Sequence, residues 1–339
     1  MVGVSVLIFI IGLAVGSFLN VCIYRIPHER LSINLPRRSI CPKCETQLRA
    51  YDNIPVLSYI LLRGRCRHCD AKISITYPLV ELTTGGLFLL MFYHFGVTLD
   101  LLHACTFVAL LVPIAWIDAR WYIIPNSIII AGLFLGVVIT LAISYAERDW
   151  WYLAEHLVGA IAGIAVLMLI VVFGSLALRK KAMGMGDVKL MGLIMLFLGF
   201  WPDLLVVIAL SAFIGTIVGS LLIVLGRKGR LYFGISLKFQ RNLDRATLSD
   251  NLRCAFDEKS RTPLSQNSII SVEAKGSRWS ITDKDNGEKY LVRKAEDQLH
   301  IHRPKTQIPY GPFLAIGALL NLLWGKPIWD WYLKLIGVG

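Results

Sequence analysis

Long apolar runs dominate the chain, and no other feature so narrows what it can become. They fall at residues 2–24, 76–96, 98–117, 122–145, 152–178, 188–200, 203–226 and 309–325. A helix needs about 20 apolar residues to cross a hydrocarbon layer roughly 30 Å thick, since lipid offers no partner to an unpaired backbone group. The expected fold class is therefore an all-α polytopic membrane protein with about eight transmembrane helices. The run at 188–200 is short, as expected of a segment that is tilted or partly buried in protein. Hydrophobic residues are 55% of the 339 and charged residues only 17%, which excludes an ordinary soluble domain. The first run has no basic segment before it and reads as a retained helix, not a cleaved signal.

The formal charge of +12 is concentrated in the connections. Residues 25–74 carry Arg25, Arg30, Arg37, Arg38, Lys43, Arg49, Arg63, Arg65, Arg67 and Lys72 against Glu29, Glu45, Asp52 and Asp70. By the positive-inside rule this loop is cytoplasmic and the N-terminus outside. Counting onward, the inside ends fall near 118–121, 179–187 and 227–308, which hold Arg120, the cluster Arg179-Lys180-Lys181 and a basic long loop. The outside turns at 97, 146–151 and 201–203 hold Arg148 as their one basic residue. The surplus of positive charge thus marks cytoplasmic loops, not a nucleic-acid partner. The aromatic tail from Trp324 to Trp331 reads as interfacial.

Within the first loop stand Cys41-Pro42-Lys43-Cys44 and Cys66-Arg67-His68-Cys69. Two C-x-x-C knuckles some twenty residues apart supply four thiolates, the donor set of a closed tetrahedral zinc site. Redox pairs or a disulfide staple are the alternatives, and a cytoplasmic location argues against stable disulfides. Cys41, Cys44, Cys66 and Cys69 are the expected structural-zinc ligands. Cys22, Cys105 and Cys254 have no such spacing and read as packing residues.

The stretch Gly184-Met185-Gly186-Asp187 precedes the short run. A carboxylate at the mouth of a membrane helix is expensive and usually has a job. Asp118 ends an earlier run at the same inner face, so the charge parity puts two aspartates of different helices at one depth. Such a pair shares a proton, because two ionised carboxylates a few ångströms apart repel. One activates water and the other polarises a scissile carbonyl, which is aspartic-protease chemistry. A helix N-terminus favours charge on Asp187, although the pair titrates as a unit. A simple helix cap at Asp187, or surface pairings Asp118–Arg120 and Asp187–Lys189, would also put carboxylates here. Asn20, Arg25 and Glu81 lie near the inner ends of their spans and form either a second polar site or interhelical glue with a snorkelling arginine.

Between Arg227 and Gln307 lies a soluble stretch with alternating segments at Ile269 to Glu273, Arg278 to Thr282, Tyr290 to Arg293 and Gln298 to His302. Asp285-Asn286-Gly287 reads as a hairpin turn. A small cytoplasmic β-rich unit is expected, suited to docking a partner or, through its basic surplus, anionic lipid headgroups. His300 and His302 read as surface residues of a strand. The expected domains are 1–24, the first helix; 25–75, the zinc-binding loop; 76–226, the membrane core; 227–307, the insertion; and 308–339, the last helix and tail.

These motifs together resemble the type IV prepilin peptidase family, membrane aspartic proteases of the GxGD type. The resemblance runs over nearly the whole chain apart from the insertion. It rests on Gly16-Ser17-Phe18-Leu19-Asn20-Val21, Tyr24-Arg25-Ile26-Pro27, the paired Cys knuckles, Asn53-Ile54-Pro55, Tyr77-Pro78-Leu79-Val80-Glu81-Leu82, Asp118, Ile124-Pro125, Gly184 to Leu190 and Ile308-Pro309-Tyr310-Gly311-Pro312-Phe313. Tyr310 stands where relatives often carry Phe. The resemblance implies that Asp118 and Asp187 are the catalytic pair and that the four cysteines hold zinc. It also implies that S-adenosylmethionine is a methyl donor. The implied function is leader cleavage of type IV prepilins or pseudopilins at the cytoplasmic face of a bacterial inner membrane, then N-methylation of the new N-terminus. Asn20, Arg25 and Glu81 are the candidates for the methyl-transfer site. The competing classes are a transporter with the aspartates as a proton relay and a membrane scaffold built on the knuckles. A transporter would show repeated broken helices in two halves, and the sequence has no convincing internal repeat. A scaffold has no need of two aspartates at matched depth.

Overall fold

The computed structural model describes residues 2–27, 41, 44, 46–178, 183–226, 234–238, 270–275, 278–283, 289–295, 298–302 and 309–337. The cluster Arg179-Lys180-Lys181, the loop charges Glu29, Arg30, Arg37, Arg38, Lys43 and Glu45, Cys254 and the Asp285-Asn286-Gly287 turn lie outside the described residues. The chain divides into two units, Met1–Thr216 with Pro309–Gly339, and Ile217–Ile308.

The first unit is built on helices α1 (Val2–Arg25), α2 (Leu57–Leu61), α3 (Thr76–Phe95), α4 (Leu99–Trp121), α5 (Asn126–Glu147), α6 (Trp150–Leu178) and α7 (Met185–Leu198). Helix α8 (Asp203–Gly226) enters it, and α9 (Gly311–Leu335) closes it. Seven of these helices are long and apolar enough to cross a membrane. The expectation of eight is corrected at the short run. Helix α7 has 14 residues and rises about 21 Å, well short of a hydrocarbon layer. It is instead a core element. Leu190, Met191, Leu193, Ile194 and Met195 are fully buried, because α7 is apolar all round and has neighbours on every side.

Small residues let the neighbours come close, which is how helices associate where lipid removes the hydrophobic drive between them. Gly132 and Gly136 of α5 face Leu193, Leu196 and Phe197, and Gly192 of α7 receives Ile164 of α6. On the other side of the unit α1 lies against α3. A Cβ on Gly12 would come within 2.8 Å of the Gly85 Cα, and one on Gly16 within 2.7 Å of the Glu81 Cα. Away from the Asp118 end, Gly199 (φ 97°) ends α7, and the buried His156 of α6 takes up the Leu196 carbonyl at 2.9 Å through Nδ1. That bond satisfies one of the carbonyls a helix C-terminus leaves over. Asn321 of α9 donates to Asp203 at the start of α8, 2.7 Å away. The last helix also runs further than its apolar run at 309–325. It continues through Pro327 to Leu335, carrying Trp324, Trp329 and Trp331 on one continuous helix.

In the second unit strands β1 (Gly234–Lys238), β2 (Ile270–Lys275), β3 (Arg278–Asp283), β4 (Lys289–Ala295) and β5 (Gln298–His302) form one sheet in the order β1-β5-β4-β3-β2. All pairs are antiparallel, with Trp279 opposite Val292 and Ile301 opposite both Val292 and Ile235.

Candidate active site

Asp118 sits on the last turn of α4, three residues before its end. Tyr122 stops the helix in a left-handed conformation (φ 59°), its N–H returning to the Asp118 carbonyl at 2.9 Å. The chain then runs through Ile124-Pro125 into α5. Asp187 is the third residue of α7, with Gly184 as the N-cap. Its carboxylate folds back toward Gly184, so that a Cβ there would lie 3.4 Å from Oδ2 and the Gly184 N–H is within reach. This is one half of a capping box, the N3 carboxylate reaching back to the N-cap N–H; glycine has no side chain to make the other half. Asp187 is therefore not the cap residue itself but an acid in the first turn.

Two contacts seat the start of α7 on the α4–α5 connection. Ile124 packs over Gly186, where a Cβ would be 3.1 Å from the Ile124 Cβ, and Lys189 Nζ donates to Asn126 Oδ1 at 3.0 Å. Lys189 thus pairs with Asn126, and Arg120 lies over the Trp121 ring at 4.9 Å. Neither makes the simple surface ion pair that would explain the aspartates away. Both carboxylates are buried, and Asp118 is near enough for its charge to act on Asp187. The third wall is the start of α9. The Gly311 N–H donates to Asp118 Oδ2 at 2.9 Å, and Tyr310 lies close enough to feel the Asp187 charge. Two aspartates, a backbone donor and a phenol thus converge where α4, α7 and α9 meet.

The second polar group gathers at the same ends of α1 and α3. Glu81 is buried, and its Oε2 accepts the Val56 N–H at 2.8 Å. Ser17 and Asn20 are its other hydrogen-bonding neighbours, and Asn20 Nδ2 donates to the Tyr77 carbonyl at 3.0 Å. Val56, a β-branched residue at φ 59°, opens α2 and holds an unfavourable backbone conformation that this bond helps to fix. Arg25 is buried on the last turn of α1. The structure therefore brings Asn20 and Glu81 together, ties Asn20 to the first turn of α3 and ties Glu81 to the loop that follows the first knuckle.

In that loop the four thiols converge. The Sγ atoms of Cys41, Cys44, Cys66 and Cys69 all lie within 4.8 Å of one another, and Cys41 and Cys69 are 3.8 Å apart. All four are free thiols. Sulfurs placed about 2.3 Å from a central zinc would be roughly 3.8 Å from each other, so the cluster fits the ion. Local turns make it: Cys41 N–H bonds to Thr46 O, Cys66 N–H to Ala71 O and Asp70 N–H to Cys66 O. Thr46, through its side chain and its backbone, holds the Cys44 thiol down to about 6. The backbone N–H groups of His68 and Cys69 lower Cys66 as well. The Ala71 N–H pulls on Cys69, but desolvation and the neighbouring sulfurs push that thiol up to about 12. Thiols crowded in this way exchange protons readily for a cation. Beside them Arg67, from within the second knuckle, binds Asp52 Oδ1 through Nε and an Nη, both at 2.8 Å, and lies over Tyr51. The Asp52 side chain is 1% exposed.

Sequence reasoning assigned no role to Gly311, Ser17 or Val56. For Gly311 a signal existed in Pro309-Tyr310-Gly311-Pro312, a helix start next to an apolar run. For Val56 there was none, because its part is played by a backbone N–H.

Comparison with known proteins points one way. Residues 10–95 match the bacterial peptidase A24 N-terminal domain, and residues 105–220 match the type IV leader peptidase family. The chain is similar to a prepilin leader peptidase/N-methyltransferase of Myxococcus xanthus, 40% identical over 66% of this chain and 65% of that one. It is similar to the proteins of the same name from Neisseria gonorrhoeae, at 36% over 67% of this chain and 85% of that one, and from Pseudomonas putida, at 33% over 97% and 93%. The match thus spans just under two thirds of the Myxococcus protein and nearly all of the Pseudomonas one. No solved structure matches the chain.

Proposed function

From the premise that this chain belongs to the type IV leader peptidase family, we propose that it cuts the leader from type IV prepilins or pseudopilins and methylates the N-terminus so exposed. The observation that carries this reading is the pair of buried aspartates on α4 and α7, with Asp118 near enough for its charge to act on Asp187 and each carboxylate held by a backbone donor. The relatives' shared name favours hydrolysis over a proton relay.

The dyad works with one proton between two carboxylates. The ionised member takes a proton from a water molecule, whose oxygen adds to the scissile carbonyl carbon. The protonated member donates to the carbonyl oxygen as charge builds there. When the C–N bond breaks, the pair returns a proton to the leaving amine. The substrate's apolar helix enters from the bilayer, leaving its scissile bond at the interface where the aspartates stand. The active face is cytoplasmic and the membrane is a bacterial inner membrane, in keeping with the basic loops.

For the second reaction S-adenosylmethionine, when bound, supplies a methyl group on a sulfonium sulfur. The task of the chain is to place a neutral amine and remove its proton. Glu81 suits this, being a buried carboxylate with Asn20 beside it and Arg25 on the same end of α1. The four cysteines hold structural zinc, which would cross-link the two knuckles and fix the loop whose Val56 N–H reaches Glu81.

The test is direct. Purified protein is incubated with a prepilin and S-adenosylmethionine, and mass spectrometry follows the loss of the leader and the gain of one methyl group. Failure of the wild-type protein to release a leader, or undiminished release by Asp118→Asn, would sink the proposal.

A further inference from the structure

Helix α9 begins at Gly311, and its first turn has little to spare. Pro312 has no N–H, and the N–H groups of Phe313 and Leu314 both return to the Tyr310 carbonyl. The Gly311 N–H is left as the free donor that a helix start always presents. Asp118 Oδ2 takes it at 2.9 Å in a buried bond that joins residues 193 apart in sequence. A Cβ on Gly311 would stand 2.5 Å from that oxygen, 3.1 Å from Cγ and 3.3 Å from Cβ of Asp118. The backbone of Gly311 is not in the left-handed region. The glycine is required here for room, not for conformation.

The turn itself is anchored. Ser211 Oγ of α8 donates to the Ile208 carbonyl at 3.0 Å, so in its 2.8 Å bond to Tyr310 the phenol is the donor. Farther along α9, a Cβ on Gly317 would lie 3.1 Å from the Ser211 N and 3.2 Å from the Val207 carbonyl, so the two helices meet backbone to backbone. The start of α9 is thus held by α8 and presents one N–H to one carboxylate.

We infer that Gly311 is a positioning residue of the peptidase reaction: its N–H, and the space left by its missing side chain, fix the Asp118 carboxylate against Asp187. Without it, the carboxylate on the last turn of α4 could rotate away from the shared water. A misplacement of about 1 Å can cost roughly 100-fold in rate. The inference rests on the peptidase reading above and adds to it a residue that acts through the Asp118 carboxylate.

The test uses the full-length protein in detergent with a prepilin substrate. Gly311→Ala inserts the clashing Cβ. A second variant replaces Gly311 by glycolic acid through nonsense suppression, which removes the N–H and adds no bulk. We expect Gly311→Ala to lower kcat for cleavage about 100-fold and the ester variant about 10-fold, each with KM within about threefold of wild type, since only the alignment of the acid is lost. Methylation of pre-cleaved substrate should stay within about twofold in both. A normal kcat in the ester variant, or a KM that rises in step with any loss, would overturn the inference. Should Gly311→Ala fail to fold, the ester variant decides alone. A wild-type protein that cleaves nothing would count against the peptidase reading itself, whereas cleavage left intact by the ester would remove only the role of Gly311.

Discussion

The dyad and the thiol cluster are built by opposite means. Asp118, Asp187 and Gly311 come from three helices, and the bond between the first and the last spans 193 residues. The four sulfurs come from two tight turns, with Cys41 and Cys69 only 28 residues apart. In the first, long helices fix the geometry and the groups are buried. In the second, local backbone hydrogen bonds fix it, and Cys69 is exposed. A site held by distant helices should fail in function while the fold persists. A site held by turns and an ion should fail in local order while the helices persist.

The largest effect expected is on cleavage. Asp118→Asn and Asp187→Asn should each lower it by about 1,000-fold or more, since neither the water nor the carbonyl is then activated. Leader release is measured by mass spectrometry, and zinc content and thermal stability should stay near wild type. Substantial cleavage by either variant would remove that residue from the mechanism.

Glu81→Gln should keep leader release and lower methylation of pre-cleaved substrate about 100-fold, the low end of what a lost proton acceptor costs at an otherwise intact site. Loss of both activities together with stability would instead make Glu81 a structural tie between α3 and Val56.

Removing zinc sharpens the contrast. The ligands bind as thiolates, so protons compete with the ion, and the site should keep zinc at pH 7 and release it on acidification. Limited proteolysis of residues 41–75 should speed up after chelation or acidification, while the helices keep their circular dichroism. Retention of zinc at pH 5, or simultaneous collapse of helix signal, would break the comparison. The smallest effect concerns Arg67→Ala. It leaves the buried Asp52 carboxylate without its guanidinium, at a local cost of about 1–3 kcal/mol, because Arg67 is itself half exposed. Faster proteolysis of the loop with unchanged cleavage of prepilin is the expected outcome.

Much of this was legible in the chain. Seven of the eight apolar runs became helices of spanning length, because run length and backbone satisfaction leave lipid-exposed segments no other choice. The knuckles were legible because C-x-x-C spacing is a local geometric fact and needs nothing from the rest of the fold. Asp118 and Asp187 could be picked out as run ends on the same side of the charge pattern. The shortness of the run at 188–200 pointed to a tilted or protein-buried segment, but composition could not say which, since an apolar run looks the same whether it faces lipid or protein.

What the sequence determined by itself was therefore periodic or local: which segments are apolar helices, which thiols share a turn, and which carboxylates stand at helix ends. What only the tertiary structure decided was which of those ends meet. The approach of Gly311 to Asp118, the seating of Gly186 under Ile124 and the bond from Val56 to Glu81 all depend on helix packing at sub-ångström tolerance. All three are made by backbone atoms that every residue shares, or by the absence of a side chain. A backbone donor leaves no signature in residue identity, and a glycine does not say which neighbour it admits; these contacts exist only once the helices have packed.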